Sequence, residues 1–206
     1  MRKTETTPES APSSRKQLTH DRIVDTAARV LRETGFAGVG VADIMKRAGL
    51  THGGFYAHFK SRDALLAEAL QRAGEDSGAR MSRAVESAKA QGASPLRAFI
   101  ETYLSERHLK TLETGCPVAC LASDMPRQAE PVRNEATARV QGLIANLQSV
   151  MPRGTPRDSA AIVAAQLVGA LQIARAMGDN AAGRRQLAQS RDFLLDQFDT
   201  ADPSSR

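Results

Sequence analysis

Apolar residues recur at helical spacing through most of the chain. In the first clear stretch, Ile23 and Ala27 fall on one face of a helix, behind Thr19, a residue type that caps helices. Gly35, with the apolar Phe36 behind it, is typical of a left-handed helix end. The pattern therefore predicts a first helix from Thr19 to about residue 34.

The same periodicity predicts eight more helices and no strand. Two short helices, at 41–48 and 52–58, are followed by a long one at about 62–91, and Thr51 and Ser61 are placed to cap the second and third of these. Prolines mark or flank the boundaries of five further helices, predicted at 95–111, 117–125, 128–151, 156–178 and 181–199. The chain is thus expected to be an all-α protein of nine helices.

Composition supports this fold class and narrows the compartment. The chain has no Trp, 2 Tyr and 6 Phe, which favours closely packed helices over a β-sandwich. Two cysteines without a secretory apolar region favour the reducing cytoplasm over a disulfide scaffold. The most apolar stretch, 160–177, contains Gln166, Gln172 and Arg175, so we interpret it as a buried or interface helix rather than a membrane span.

The net charge of +5 is concentrated in the first third of the chain. Residues 1–62 contain 11 Lys or Arg and 6 Asp or Glu, whereas residues 63–206 contain 17 of each. A localised basic segment is typical of proteins that bind the phosphate backbone of nucleic acids. Residues 1–17 are polar and contain Pro8 and Pro12, which predicts a disordered basic arm. A solvated basic tail is the alternative explanation of the charge.

The segment 41–60 has the pattern of a helix-turn-helix. Two short predicted helices flank Gly49, which suits the turn between them. The apolar residues expected to clamp the helices together are Ile44, Met45, Ala48, Leu50 and Phe55. The exposed face of the second helix would then be free to enter a major groove of DNA.

Several residues around the second helix suit contact with DNA. Gly53 and Gly54 each cost about 1 kcal/mol in a helix, a cost that close backbone approach to DNA would offset. A simple turn is the alternative for this pair. Phe55 and Phe59 are expected to be core, and His52 is the best candidate for base readout. The complete set of candidate contacts is Thr51, His52, Gly53, Gly54, Tyr56, His58, Lys60 and Arg62.

The run from Arg22 to Leu70, and above all AGLTHGGFYAHFKSRDALLAEAL, resembles the N-terminal domain of the TetR/AcrR family of transcriptional regulators. The resemblance implies a homeodomain-like three-helix DNA-binding domain at 18–64. It also implies a signal-sensing and dimerisation domain at 65–206, and a homodimer through the last two long helices. Two positions depart from the family pattern: Gly40 replaces the usual Ser or Thr cap, and Arg62 replaces the commoner Lys.

The string GCPVACLASD, at 115–124, is the distinctive feature of the second half. Pro117 suits the first position of a helix, which places Cys116 at the N-cap, where free amides stabilise a thiolate, with Cys120 one turn later. Packing residues, an electrophile or redox sensor and a metal site are three possible interpretations. The string also resembles a TetR subgroup that includes the N-ethylmaleimide-reductase repressor, whose members respond to electrophiles.

A pocket for an apolar or aromatic small molecule is the other sensing option. Its candidate residues are Phe99, Tyr103, Leu121, Met125 and Leu143, although each could simply fill the core. Two further stripes suit a four-helix dimer interface. The first contains Ile162, Ala165, Gly169, Ile173 and Met177, and the second contains Leu187, Leu194 and Phe198.

These observations predict a cytoplasmic transcriptional repressor that binds a pseudo-palindromic operator as a homodimer and is released by a small-molecule, electrophile or redox signal. No cofactor, metal or membrane partner is expected. A non-specific architectural DNA-binding protein is the first alternative. An enzyme is the least favoured, because the sequence lacks a nucleophile elbow, a phosphate loop and metal-spaced ligands. The sign of regulation, repression or activation, is not fixed by DNA binding alone.

Overall fold

A computed structural model describes residues 14–199 of the chain. These residues form nine α-helices and two short 3₁₀ helices, with no β-strand, which confirms the predicted fold class. The α-helices are α1 (Arg15–Thr34), α2 (Val41–Arg47), α3 (Arg62–Lys89), α4 (Pro95–Tyr103), α5 (Glu106–Lys110), α6 (Pro117–Leu121), α7 (Glu130–Gln148), α8 (Ser159–Met177) and α9 (Ala181–Phe198). The 3₁₀ helices are His52–Ala57 and Met125–Arg127.

The first helix begins earlier than the sequence predicted. Ser14, not Thr19, is the N-cap of α1, and its hydroxyl accepts a hydrogen bond from the backbone amide of Gln17 at 3.2 Å. The Thr19 hydroxyl lies inside the helix and donates to the carbonyl of Arg15. The predicted disordered arm is therefore wrong for residues 14–17, and its first 13 residues lie outside the described part of the chain.

The predicted helix at 95–111 is two helices. Leu104 leaves helical geometry with φ −94° and ψ 38°, and Ser105 caps α5 by accepting a hydrogen bond from the amide of His108 at 3.2 Å. A Ser followed by Glu is a common helix start, and this signal was overlooked. The predicted helix at 117–125 is also shorter, because α6 ends at Leu121.

Two hydrophobic cores lie side by side along α3. The N-terminal core contains apolar residues of α1, α2 and the first half of α3, and it also takes in Leu121 and Met125. The C-terminal core contains residues of α4, α8 and α9 together with Val118 and Ala119 of α6. The short helix α6 therefore contributes to both cores. Both cores also include residues of α3, so a division of the chain at residue 64 stays a prediction.

Helices α8 and α9 pack against each other at the far end of the molecule. By length and composition α8 is apolar enough to cross a membrane, with a mean hydropathy of 1.5 over its most apolar stretch. Its inner face is buried in the C-terminal core, but Ile162 and Ile173 on its outer face are each 53% exposed. On α9, Leu187 and Leu194 are buried in the C-terminal core of the same chain, so their assignment to a stripe at the dimer interface is wrong.

Candidate nucleic-acid interface and buried cavity

The helix-turn-helix is assembled by the apolar residues that the sequence indicated. Ile44, Met45 and Phe55 are almost completely buried in the N-terminal core. Gly49 has a φ of +70°, a conformation that side chains with a Cβ adopt at a cost. The turn between α2 and the following helix therefore requires glycine.

The second element of the motif is a 3₁₀ helix rather than an α-helix. We call His52–Ala57 the recognition segment. Its backbone bonds join residues three apart, from the amide of Gly54 to the carbonyl of Thr51 and from the amide of His58 to that of Phe55. Two adjacent glycines have poor α-helix propensity, which explains the difference. The Thr51 side chain makes no capping bond within the described chain, so the prediction that it caps this helix is wrong.

The recognition segment presents its polar side chains to solvent. Thr51, His52 and Lys60 are exposed, and the ring of Tyr56 is 74% exposed although it packs edge-on against Phe55. An exposed phenol of this size beside an imidazole and an ammonium group offers hydrogen-bond donors and a stacking surface at one site. The arrangement suits contact with phosphates and base edges.

The two glycines of the recognition segment are not required by the protein itself. Neither has a positive φ. A Cβ at Gly53 would meet no atom of residues 14–199 within 4 Å, and one at Gly54 would make an ordinary contact with Met45 at 3.6 Å. The fold would therefore tolerate alanine at both positions. A surface partner that approaches the backbone closely is the remaining physical reason for glycine here.

His58 lies apart from Tyr56. It is half-buried at the end of the recognition segment, with its ring 6.1 Å from that of His20 on α1. The pKa of His58 is lowered mainly by burial and further by His20 and Lys16. His58 is therefore less accessible to a partner than Tyr56. Lys16, which the sequence had assigned to a disordered arm, is exposed on the first turn of α1 and adds charge beside the recognition segment.

Arg62 points back into the N-terminal half. Its Nε donates to the carbonyl of Val39 at 3.1 Å, and its Nη2 donates to the carbonyl of Phe36. The side chain is half-buried. The sequence predicted that Arg62 contacts phosphate. In the structure its guanidinium instead donates hydrogen bonds to two backbone carbonyls.

A small cavity of about 90 Å³ lies between α3, α4, α6 and α7. Four residues predicted to take part in sensing line it: Phe99, Tyr103, Cys116 and Leu143. Its polar lining includes Ser77, Arg139 and Asn146, while glycines on α3 and α7 leave the space open. The cavity can hold a small molecule that has both apolar and hydrogen-bonding groups.

Tyr103 brings a buried polar group to this cavity. The residue is 1% exposed, and its hydroxyl has no hydrogen-bond partner within residues 14–199. Burial raises its pKa far above the ordinary value, and Cys116 beside it acts in the same direction. A buried hydroxyl without a partner is costly, so this group is available to a ligand oxygen or to water.

Leu121 and Met125 do not line the cavity. Both are buried in the N-terminal core, at 1% and 5% exposure. Their role as sensor residues therefore stays a prediction, and Met125 lines a separate pocket beside Ala136 of α7. Both residues connect the end of α6 to the core of the helix-turn-helix half.

Cys116 is held by its backbone rather than by its thiol. It is the N-cap residue of α6, as predicted, but its side chain makes no capping bond in the described chain. Its amide donates to Nε2 of His108 at 3.0 Å, while Nδ1 of His108 contacts the carbonyl of Tyr103 at 2.8 Å. Because an amide can only donate, His108 is the neutral tautomer with hydrogen on Nδ1. Burial lowers the pKa of His108 to about 4.

Cys120 lies in a different environment, away from the cavity. Nη1 of Arg175 on α8 donates to its Sγ at 3.4 Å, and Nη2 of the same side chain donates to the carbonyl of His108 at 2.6 Å. Burial raises the pKa of Cys120, although Arg175 opposes the shift. Arg175 thus joins α8 to α5 and α6. Sequence reasoning missed both His108 and Arg175. The partners of Arg175 lie 55 and 67 residues away, whereas those of the His108 ring are only five and eight residues away but follow no periodic pattern. Among the described residues no group of three or more potential ligands could hold a metal ion.

The sequence of this chain is similar to those of known transcriptional regulators. The profile of the bacterial regulatory proteins of the tetR family matches residues 23–69, which include the recognition segment. An HTH-type transcriptional regulator from Mycobacterium tuberculosis is 27% identical over 170 residues, which cover 77% of this chain and 85% of the relative. The HTH-type transcriptional repressor NemR of Escherichia coli is 22% identical over 136 residues, with 66% and 68% coverage.

Solved structures share the whole fold. A TetR-family transcriptional regulator from Agrobacterium tumefaciens superposes with a TM-score of 0.72 at 25% identity, covering 90% of this chain and all of that one. The reduced form of E. coli NemR superposes with a TM-score of 0.68 at 20% identity, covering 84% and 95%. The similarity therefore extends from the helix-turn-helix through the C-terminal helices.

Proposed function

Since the chain is a DNA-binding transcriptional regulator of the TetR family, we propose that it acts in the cytoplasm as a homodimeric repressor that a small molecule releases from its operator. The observation that carries the DNA-binding part is the exposed recognition segment, whose glycines have no internal purpose. Two such segments, held about one DNA turn apart, would read a pseudo-palindrome.

The outer faces of α8 and α9 support a homodimer. Ile162 and Ile173 on α8 and Phe193 on α9 are each more than half exposed, and together they form an apolar face on one side of the helix pair. Soluble proteins rarely leave such a patch uncovered. A second copy of the same pair would cover it as a four-helix interface, in which each subunit presents the same residues.

The cavity beside Cys116 is the proposed effector site. It lies between α3, which begins five residues after the end of the recognition segment, and α6, which contributes to both cores. A ligand that widens the cavity would move these helices and change the separation of the two recognition segments. A coupling of about 1–3 kcal/mol is typical of such transitions and would empty a modestly saturated operator.

Cys116 makes an electrophile a plausible effector class. Of the two thiols, Cys116 lines the cavity, whereas Cys120 lies outside it and has a pKa raised by burial. Addition of the Cys116 sulfur to an unsaturated carbonyl compound would retain the adduct inside the cavity. The alternative effector is an apolar ligand that binds reversibly, forms a hydrogen bond with the Tyr103 hydroxyl and does not react with Cys116.

Binding to a selected duplex tests the DNA-binding function. The protein is used to enrich a duplex from a random pool, and its affinity is compared with that for a scrambled duplex of equal length. A repressor should prefer the selected duplex by at least about a thousandfold at physiological salt. Equal affinity for both duplexes would favour an architectural DNA-binding protein.

The same duplex tests the effector site. N-ethylmaleimide or a small enal is expected to release the parent protein and to leave Cys116→Ser bound. Cys120→Ser is the matched control and should respond like the parent. A Cys116→Ser variant that is released as readily as the parent would exclude the thiol mechanism.

Charge at the proposed dimer face tests the assembly. Phe193→Glu is expected to convert the dimer to a monomer in sedimentation experiments, because two carboxylates would be buried against each other. Gln197→Glu, a neighbouring exposed position on α9, serves as the control. A Phe193→Glu protein that remains dimeric would remove this face from the proposal.

A further inference from the structure

Arg62 is the first residue of α3, immediately after the exposed Lys60 and the helix cap Ser61. A basic residue at such a position would ordinarily be expected to bind a phosphate. Its guanidinium nevertheless faces the other way and donates to the carbonyls of Phe36 and Val39. The planar fork of an arginine donates to the two carbonyls from two separate nitrogens, whereas the three donors of a lysine all lie on one nitrogen.

The two carbonyls belong to the turn between α1 and α2. The side chains of Phe36 and Val39 are buried in the N-terminal core, so the turn is held from inside by packing and from outside by Arg62. The residue that follows, Gly40, begins α2 without a side-chain cap. The two bonds from Arg62 therefore fix a part of the helix-turn-helix that is otherwise weakly held at its start.

The helix that carries Arg62 also extends through the rest of the molecule. Leu65, Leu66 and Leu70 lie in the N-terminal core, and Val85, near the other end of α3, lies in the C-terminal core. Arg62 thus joins α3 to the turn before α2 by two hydrogen bonds, in addition to the packing in the shared N-terminal core. Ion pairs between exposed groups would be weakened by salt, whereas bonds to partly buried carbonyls are less affected.

We propose that Arg62 is a positioning residue that couples α3 to the α1–α2 turn, and so sets the orientation of the recognition segment, rather than a contact to DNA phosphate. The inference rests on the DNA-binding function but not on the identity of the effector. It predicts that the shape of the side chain at position 62 matters as much as its charge.

Salt dependence of DNA affinity distinguishes the two roles. Each protein–phosphate contact that is lost lowers the slope of log affinity against log salt by about 0.9. We expect Arg62→Lys and Arg62→Met both to weaken binding of the selected duplex by at least about tenfold, because charge-assisted hydrogen bonds are lost. The salt slope and the affinity for a scrambled duplex should remain those of the parent.

Lys60→Met is the matched control, because Lys60 is exposed two residues away. It should lower the salt slope while leaving thermal stability unchanged. Measurements are made well below the melting temperature of every variant, so that a loss of folding is not mistaken for a loss of orientation. Amide hydrogen exchange at Ile44, whose amide donates to the carbonyl of Gly40, should accelerate in Arg62→Lys but not in Lys60→Met.

Two results would overturn the proposal. In the first, Arg62→Lys binds like the parent while Arg62→Met lowers the salt slope, which is the behaviour of a phosphate contact. In the second, both variants keep full affinity for the selected duplex, so that the bonds to the turn do not position the recognition segment. If the parent protein itself prefers no duplex, the DNA-binding function fails instead, which is a different outcome.

Discussion

The recognition segment and the buried cavity use their polar groups in opposite ways. In the recognition segment the functional groups point to solvent, and the fold would persist without them. Beside the cavity, the ring of His108 accepts a hydrogen bond from the backbone amide of Cys116 and contacts the carbonyl of Tyr103, so the backbone of two cavity-lining residues is held by one buried side chain. Binding and stability should therefore be separable in the first region and coupled in the second.

The pH dependence of the free energy of unfolding tests this coupling, and it is the largest effect that we expect. In the unfolded chain His108 would take up a proton near pH 6.5, whereas in the folded chain its pKa is about 4. The unfolded state therefore binds more protons between these values, and the free energy of unfolding should fall by roughly 3 kcal/mol as the pH decreases from 7 to 4. Urea denaturation of the parent and of His108→Gln measures the difference.

The variant His108→Gln should lose most of this pH dependence. The matched control is His52→Gln, because His52 is exposed and its replacement should leave the dependence unchanged. Identical pH profiles for the parent and His108→Gln would show that the cavity region is not coupled to protonation in this way.

Adding a side chain at Gly53 tests whether DNA binding and stability are separable in the recognition segment. Because no atom of the described chain lies within 4 Å of the new Cβ, Gly53→Leu should keep or slightly raise the melting temperature. Its affinity for the selected duplex should fall roughly 30-fold, about 2 kcal/mol, because the leucine prevents close approach of the backbone. Calorimetry and fluorescence anisotropy measure the two quantities.

Ala90→Leu provides the control, because Ala90 is the exposed C-cap residue of α3 and lies at the opposite end of that helix from the recognition segment. It should leave DNA affinity unchanged. If Gly53→Leu bound DNA as tightly as the parent, the recognition segment would not approach DNA closely at this residue.

Tyr103 is the exception within the cavity, because its hydroxyl has no partner in the part of the chain that is described. Tyr103→Phe should leave the free energy of unfolding unchanged or raise it by up to about 1 kcal/mol, since an unsatisfied polar group is removed. Chemical denaturation measures this. A loss of more than about 1 kcal/mol would mean that the hydroxyl is bonded in the folded protein, and the contrast with His108 would disappear.

The smallest expected effect concerns the start of α2. Gly40 has φ −92° and ψ 129° and no described atom within 4 Å of a new Cβ, so a serine would fit and could cap the helix. Gly40→Ser should stabilise the protein by a few tenths of a kcal/mol. Gly49→Ser is the contrasting variant and should destabilise it, because φ at Gly49 is +70°. Equal effects at both positions would contradict this account of the turn.

Contacts between residues that are close in sequence could be predicted, whereas contacts between distant residues could not. The clamp residues of the helix-turn-helix were identified because Ile44, Met45 and Phe55 are close in sequence and follow a local pattern. The partners of Arg62 lie 23 and 26 residues away, and that of Cys120 lies 55 residues away. Periodicity carries no information about such pairs. It also placed Leu121 on an inward face correctly, but it could not tell which of two cores that face meets.

The N-terminal core is completed by residues from far along the chain. Leu121, Met125, Val132 and Ala136 pack against the helix-turn-helix half, so a fragment that stops at residue 64 would expose an unfinished apolar surface. Such a fragment should aggregate or require a replacement for these side chains. A chimaera that joins the helix-turn-helix half to the sensing domain of another protein should therefore fold only if it also contains α6 and the start of α7.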